Sequence, residues 1–401
     1  MLFTYFIKGQ QYGNEWINYN QNYFHFSITQ TGVHRLYHNE INNALNQQGI
    51  DLNQITHSQF QIYGREQEVS LLINDANNNG YLDTNEYIEF YAEKNDGWLD
   101  ENVYDSLHHM PDSYFSLFND TIKYYFTWNN AFSNKRTSIE TDTNYSTYTS
   151  NSYCWKKTLV KFNTNYVLGE QVNGLSSPKY NVGEGWAGPT HSKGGNYTEN
   201  LATNNYFSSG PNAFGEINLM SSNSSTSNTD NFNHNSKLYV NNNLILDTSY
   251  YGYKIFHVDF ELPSSSLSNS TAIRHNIGNI GQGTDYQNIA SLVLCYPHTT
   301  NFSNYSDLHF GLNYNANQKK RLTISNMISG SNHPILYMID DINRVIPLVI
   351  NNNNWEAVIP PPSSDSNLLF LFDESNIINI SKIEPVNHNG IFNDYNSLQL
   401  D

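Results

Sequence analysis

The sequence predicts a mainly β protein: a small β-rich N-terminal domain with one short helix, then an antiparallel, jelly-roll-like β-sandwich and further antiparallel strands. Three observations favour this class. The 401 residues include 30 Tyr and 21 Phe, which suit half-buried strands. The chain is also rich in Asn and Ser, whose side chains favour turns because they bond nearby backbone. Apolar and polar residues alternate along most of the chain, as expected for strands with one buried face.

Length and charge limit the organisation and the partners. The chain is long enough for two or three domains of ordinary size. With 20 Lys and Arg against 37 Asp and Glu, the net charge of -17 would repel phosphate backbones, so we expect no nucleic-acid partner. No apolar stretch approaches the length of about 18 residues that a membrane span needs, so we expect no transmembrane segment.

The first elements follow from local patterns. Residues 1–15 contain an apolar run too short for a membrane span, and we interpret them as a leader or the remnant of a signal peptide. Phe24, Phe26 and Ile28 alternate on one face of a predicted strand, and Gly32 turns the chain into a second strand. These two strands open a β-rich domain that is predicted to span residues 16–145.

A helix and more strands complete this domain. The helix is predicted over residues 39–49, with Asn39 as its N-cap and Gly49 closing it. Alternation predicts strands in residues 60–73, then a strand, an Asn-Asp-Gly turn and a further strand within residues 86–99. Another strand is predicted in residues 122–130, before a boundary near residue 145 that is rich in Ser and Thr.

Residues 146–385 are predicted to form the sandwich region, and residues 386–401 a lead-in to a further domain. Strand patterns recur at the spacing of a sandwich, separated by turn residues. They occupy residues 214–220, 237–245, 253–263, 272–280, 288–297, 307–314, 320–327, 334–340, 344–350, 355–362 and 367–373.

One loop has the spacing of a calcium site. Residues 75–86, DANNNGYLDTNE, match the loop of an EF-hand without a gap. Gly80 permits the sharp turn that such a loop needs. The predicted ligands supply oxygen atoms, and they are Asp75, Asn77, Asn79, Tyr81 through its carbonyl, Asp83 and Glu86.

The surroundings of this loop indicate its role. Strand patterns flank it, so we expect a structural Ca²⁺ clip and not a helix-opening sensor. Few of the ligands are ionised, which predicts a modest affinity suited to millimolar extracellular calcium. The alternative is a hairpin turn rich in Asn, Asp and Gly that binds no metal.

The sequence contains no catalytic constellation, and no residue is assigned a catalytic or cofactor-binding role. Cys154 and Cys295 either form a disulfide or are two buried free thiols. Glu184 and Trp186 lie in a glycine-rich stretch, which is either a sugar-binding platform or a turn beside a packed indole.

Several longer stretches resemble one family. They are similar to the N-terminal half of PorU-type sortases of the type IX secretion system, in the gingipain-like cysteine peptidase family, most specifically between Tyr12 and Asp120. In chain order the stretches are YGNEWINYNQNYFHFSITQTGVHRLYHNEI, FQIYGREQEV, GYLDTNEYIEFYAEKNDGWLDENVYD, YFSLFNDT, YNVGEGW, GTDYQNIASLVLCYP and ISKIEPV.

The resemblance implies a scaffold role. Members of that family remove C-terminal signals from secreted cargo, using a His/Cys dyad in a peptidase domain downstream of the β-rich region. No residue of this chain matches the dyad, so the chain would be a non-catalytic fragment whose peptidase domain lies beyond Asp401. The implied partners are that domain, secreted cargo and other secretion-system components, at the periplasm or outer-membrane surface. Whether the chain belongs to an enzyme is left open.

A second interpretation needs no missing domain. The chain would then be a free-standing extracytoplasmic β-sandwich module that binds a ligand such as a glycan through Tyr and Trp on its loops.

Overall fold

The computed structural model describes residues 13–130, 133–170, 179–224, 232–279, 283–303, 305–313, 318–327, 333–340, 342–362 and 368–395. Within these ranges the protein is mainly β, with several antiparallel sheets and one α-helix, which confirms the predicted fold class. Most of the predicted leader, residues 1–12, and the end of the predicted lead-in, residues 396–401, lie outside the described residues. No helix among the described residues is long and apolar enough to cross a membrane.

The N-terminal unit contains seven strands and the helix. Phe24, Phe26 and Ile28 are all buried, as their alternation predicts. In chain order the elements are β1 (Phe24–Ile28), β2 (Gly32–Tyr37), α1 (His38–Asn46), β3 (Phe60–Gly64), β4 (Gln67–Glu68), β5 (Leu72–Asn74), β6 (Tyr87–Ala92) and β7 (Ile122–Trp128).

Three local predictions in this unit were wrong. The helix ends at Asn46 with Gln47 as its C-cap, so Gly49 lies in the turn that follows and does not close the helix. The helix begins at His38, because the His38 N–H donates to the Glu86 carbonyl (3.0 Å) and the helix continues directly from β2; Asn39 is therefore not the N-cap. The segment after Gly97 is a short 3₁₀ turn, Asp100–Val103, and not a strand. There the Asp100 carboxylate accepts the Leu117 N–H (2.6 Å), which folds the segment inward.

The later strands follow the predicted alternation, since every stretch predicted between residues 214 and 373 contains one. They are β8 (Ser138–Ile139), β9 (Cys154–Lys161), β10 (Asn165–Leu168), β11 (Glu184–Ala187), β12 (His191–Ser192), β13 (Asn196–Ala202), β14 (Ala213–Ser221), β15 (His234–Val240), β16 (Asn243–Tyr250), β17 (Ile255–Leu262), β18 (Ser270–Ile277), β19 (Tyr286–His298), β20 (Asp307–Gly311), β21 (Lys320–Ile324), β22 (Pro334–Ile339), β23 (Arg344–Ile346), β24 (Val349–Asn351), β25 (Asn354–Ile359), β26 (Leu368–Asp373), β27 (Ile378–Asn379) and β28 (Glu384–Pro385).

One long sheet organises the middle of the molecule. Its strands run in the order β17-β14-β19-β9-β20-β26-β22-β23-β8, with β12 also paired to β19. A four-stranded sheet, β13-β18-β15-β16, covers one half and encloses a core that includes Leu238, Ile273 and Leu292. A three-stranded sheet, β21-β25-β24, covers the other half around Phe310 and Leu371. The long sheet therefore serves two adjoining sandwiches.

The N-terminal unit packs on the opposite face of the second half of this sheet. Val33 and Tyr91 of the unit contact Tyr337, Phe370 and Phe372 of the long sheet in a separate apolar cluster. Alternation along β26 explains the arrangement, because Leu371 faces the sandwich core while Phe370 and Phe372 face the N-terminal unit.

The chain returns to the N-terminal unit after the sandwiches. β27 pairs in parallel with β2, and β28 pairs antiparallel with β1. These strands complete the two sheets β27-β2-β6-β5 and β28-β1-β7-β3-β4, and Ile380 and Ile383 enter the core between them. Strand pairing alone does not define a domain, so the predicted limits near residues 145 and 385 stay predictions.

Candidate functional site

The EF-hand-like loop joins two paired strands. β5 and β6 are antiparallel neighbours, with Asn74 opposite Tyr87, so residues 75–86 form the connection of a long hairpin. Leu82, in the middle of the loop, is 1% exposed and belongs to the core of the N-terminal unit. The loop is therefore held to the body of the protein at both ends and in its middle. It lies between two strands, as the flanking sequence patterns predict.

Asp75 is the centre of the first turn of the loop. Its Oδ2 accepts the Gly80 N–H at 2.9 Å and faces Nε2 of His57 at 3.0 Å, while its Oδ1 accepts the Asn79 N–H at 3.2 Å. The Gly80 hydrogen bond, followed by that from His57, lowers the pKa of the Asp75 carboxyl below its ordinary value. Gly80 has a φ of +86°, a backbone conformation that glycine adopts more readily than residues with a Cβ.

The remaining predicted ligands are linked by hydrogen bonds inside the loop. Oδ2 of Asp83 accepts from Nδ2 of Asn77 (2.8 Å) and from Nδ2 of Asn79 (2.7 Å). Glu86 is 5% exposed; its Oε1 accepts the Ala76 N–H (2.8 Å) and its Oε2 accepts the Asp83 N–H (2.7 Å). Tyr81 is exposed, and its N–H donates to Oδ1 of Asn79 (2.8 Å). The predicted side-chain ligands thus form one hydrogen-bonded group.

The chemistry of this group fits Ca²⁺ in part. Three carboxylates and two amides supply the oxygen atoms that calcium binds. However, Asn77 and Asn79 direct their amide nitrogens toward Asp83, and a half-turn of each amide would be needed to present oxygen instead. In the part of the chain that the structure describes, no three side chains of His, Cys, Asp or Glu converge closely enough to hold a metal ion. The calcium site stays a prediction.

Both cysteines are free thiols, which excludes the disulfide alternative. Cys154 is fully buried, its Sγ–H donates to the His298 carbonyl (3.6 Å), and burial raises the pKa of its thiol well above the ordinary value. Cys295 is half-buried, and burial raises its pKa too. Because the thiolate is the reactive form, neither environment favours a nucleophile.

Trp186 is half-buried and packs against two other aromatic rings. Its indole makes edge contacts with Tyr166 (5.2 Å) and Phe115 (6.2 Å). Glu184, two residues earlier on β11, accepts from the Tyr166 hydroxyl (3.0 Å) through its carboxylate. The geometry favours the second of the two interpretations of this stretch, a packed indole.

The structure reveals a buried hydrogen-bonded network around His234 and Asp285 that the sequence patterns do not indicate. Oδ1 of Asp285 lies 2.7 Å from Nδ1 of His234, and Nε2 of His234 lies 2.9 Å from the Asn223 carbonyl. Oδ2 of Asp285 accepts the Asn235 N–H (3.0 Å), and Nε2 of Gln287 donates to the same carboxylate. Both ring nitrogens of His234 therefore face oxygen acceptors.

The fold and the hairpin loop define a class: a mainly β protein with several antiparallel sheets and a loop of EF-hand spacing between two paired strands. Among solved structures, dimeric latent PorU from Porphyromonas gingivalis matches with a TM-score of 0.55 and 14% sequence identity, covering 91% of this chain and 33% of that chain. The chain therefore has a PorU-like fold and spans about a third of the length of that protein.

Some other solved structures match weakly. A β-porphyranase of glycoside hydrolase family 86 from the human gut bacterium Bacteroides plebeius gives a TM-score of 0.22 and 11% identity, over 69% of this chain and 35% of that chain. This similarity is too low to support an argument about fold or function. No protein-family profile and no curated protein sequence matches the chain.

Proposed function

We propose that this chain is the non-catalytic N-terminal scaffold region of a type IX secretion sortase-like cysteine peptidase, which processes the C-terminal signals of cargo proteins. The observation that carries the proposal is the PorU-like fold, which extends over 91% of this chain and corresponds to 33% of the PorU chain. The family stretches identified in the sequence, and the unfavourable environments of both thiols, support the same assignment.

In this proposal the peptidase domain is encoded after Asp401 and packs against the scaffold, which acts in the periplasm or at the outer-membrane surface. Cargo proteins and other secretion-system components are the proposed partners. The return of β27 and β28 to the N-terminal unit would attach the following domain to that unit and not to the sandwiches.

The decisive test is to read the coding sequence beyond Asp401 and to assay the products. We expect an α/β segment with a His/Cys dyad, peptidase activity in the longer protein and none in the present chain. Cys154→Ala and Cys295→Ala in the longer protein should leave cleavage intact. A stop codon directly after Asp401 would contradict the proposal and favour the free-standing binding module.

We further propose that the hairpin loop binds Ca²⁺ as a structural clip, with Asp75, Asn77, Asn79, Tyr81, Asp83 and Glu86 as ligands. The ion would stabilise a connection that already spans two strands. A ligand present at about 100 times its Kd stabilises the folded state by about 2.7 kcal/mol, so calcium should raise the melting temperature.

The calcium test compares matched carboxylate variants. Glu86→Gln should abolish the calcium-dependent rise in melting temperature, whereas Glu101→Gln, at an exposed position outside the loop, should retain it. Because Glu86 also accepts two backbone N–H groups, its variant is expected to melt lower even without calcium, so the readout is the difference on adding calcium. Identical melting with and without millimolar calcium would exclude the clip.

A further inference from the structure

Four aromatic side chains form a surface cluster that belongs to none of the hydrophobic cores found among the described residues. Phe207 and Tyr153 stack at 5.7 Å with an interplanar angle of 14°. Tyr153 contacts Trp155 at 5.9 Å, and Trp155 contacts Phe214 at 5.4 Å. Phe214 is 49% exposed. We call these four residues the aromatic face.

Strand alternation explains why the aromatic face points outward. Cys154 on β9 faces the second sandwich core, so its neighbour Trp155 lies on the opposite side of the long sheet. On β19, Leu294 faces the first core, so Cys295 lies on the outer side, and Phe214 is paired directly with Cys295. The rings therefore occupy the outer face of the long sheet, away from both covering sheets.

Polar groups surround the rings. Oδ1 of Asn313 accepts the Trp155 indole N–H (2.7 Å), and Nδ2 of Asn313 donates to the Tyr153 hydroxyl (2.5 Å), which fixes both rings. Glu261 is paired with Phe214 in the β14–β17 register and so projects its carboxylate on the same side. The face thus combines aromatic rings with an amide, a hydroxyl and a carboxylate.

We propose that the aromatic face is a binding site for a neutral oligosaccharide. Aromatic rings offer flat apolar faces to the C–H side of a sugar ring, while amide, hydroxyl and carboxylate groups bond to its hydroxyls. In the row of the sheet that contains Phe214 and Cys295, Glu261 stands at one end and the exposed Lys157 at the other, so the face carries one charge of each sign, which favours an uncharged ligand. The proposal is independent of the scaffold role, because the site lies wholly within this chain.

Calorimetric titration with neutral hexasaccharides of glucose, mannose and galactose, in α and β linkages, tests the site. We expect saturable binding of at least one of them. Trp155→Ala and Phe214→Ala should each weaken binding about tenfold or more, because each removes one stacking surface. Phe118→Ala provides the matched control, since Phe118 is an equally aromatic side chain, 65% exposed, that is not part of the face.

A thiol readout separates binding at this face from a loss of folding. Cys295 lies beside Phe214 and is half-buried, whereas Cys154 is fully buried, so a thiol reagent should modify Cys295 first. A bound oligosaccharide should slow that modification, and Trp155→Phe should keep the protection that Trp155→Ala loses. The proposal is overturned if no hexasaccharide binds, if the alanine variants bind normally, or if sedimentation shows that the face instead joins two copies of the chain.

Discussion

The ion pair between Arg35 and Glu89 lies within the N-terminal unit, where it faces the long sheet, and it tests how much an isolated buried charge costs. Oε1 of Glu89 accepts from Nε of Arg35 at 2.8 Å and from its Nη2 at 2.5 Å. The Glu89 side chain is only 6% exposed, and its Oε2 also lies 3.5 Å from the hydroxyl of Tyr337 on the long sheet. The guanidinium sits 4.0 Å from the centre of the Tyr87 ring.

Arg35→Met should destabilise the protein by about 3–5 kcal/mol, because it leaves the Glu89 carboxylate buried without its counter-charge. The double variant Arg35→Met/Glu89→Leu should recover most of that loss, since it removes both charges and keeps apolar volume at the site. The prediction therefore concerns the isolated charge and not the number of contacts.

Denaturant unfolding, followed by intrinsic fluorescence, measures these differences. The matched control is Lys382→Met, which breaks an ion pair of similar length (2.6 Å to Glu384) whose side chains are 73% and 47% exposed. This change should cost less than about 1 kcal/mol, because water solvates both groups. If Arg35→Met were as mild as Lys382→Met, or if the double variant were as unstable as the single one, the reasoning would be refuted.

Two other perturbations have definite signs. Burial lowers the pKa of four histidines to about 4, and they are His34, His275, His298 and His309. Between pH 6.5 and 4 the unfolded chain therefore binds protons that the folded chain does not. Because of this difference, the free energy of unfolding should fall as the pH falls. His275→Gln should make this fall shallower by up to about 1.4 kcal/mol per pH unit, and a slope equal to that of the unchanged protein would contradict the assignment. Gly64→Ala should lower the stability by about 1–3 kcal/mol, because a Cβ there would lie 1.9 Å from the Tyr124 ring; an unchanged melting temperature would show that this ring moves freely.

Alternation predicted the strands well because a strand with one buried face has an apolar residue at every second position. Leu292 and Leu294, for example, mark the inner face of β19 without any knowledge of its partners. The helix start was missed because the His38 N–H finds its acceptor in Glu86, far away in sequence, and not in a capping side chain. Pairings such as that of β27 with β2 could not be predicted either, since the pattern of residues within one strand does not indicate which strand lies beside it.

The candidate sites also differ in whether their residues are close together in the sequence. The loop residues were found from spacing alone, because all predicted ligands lie within one short segment. His57, which faces Asp75 from a separate turn, has no such signal. The His234–Asp285 pair and the aromatic face also combine residues from distant strands, so only the folded structure brings them together.

The return of the chain makes the sandwiches an insertion within the N-terminal unit. The Tyr23 N–H donates to the Gly390 carbonyl (2.7 Å), and Trp16 contacts the ring of Phe392 at 5.8 Å, so the two ends of the described chain lie side by side. During synthesis the N-terminal sheets therefore lack their last strands until more than two hundred intervening residues have been made.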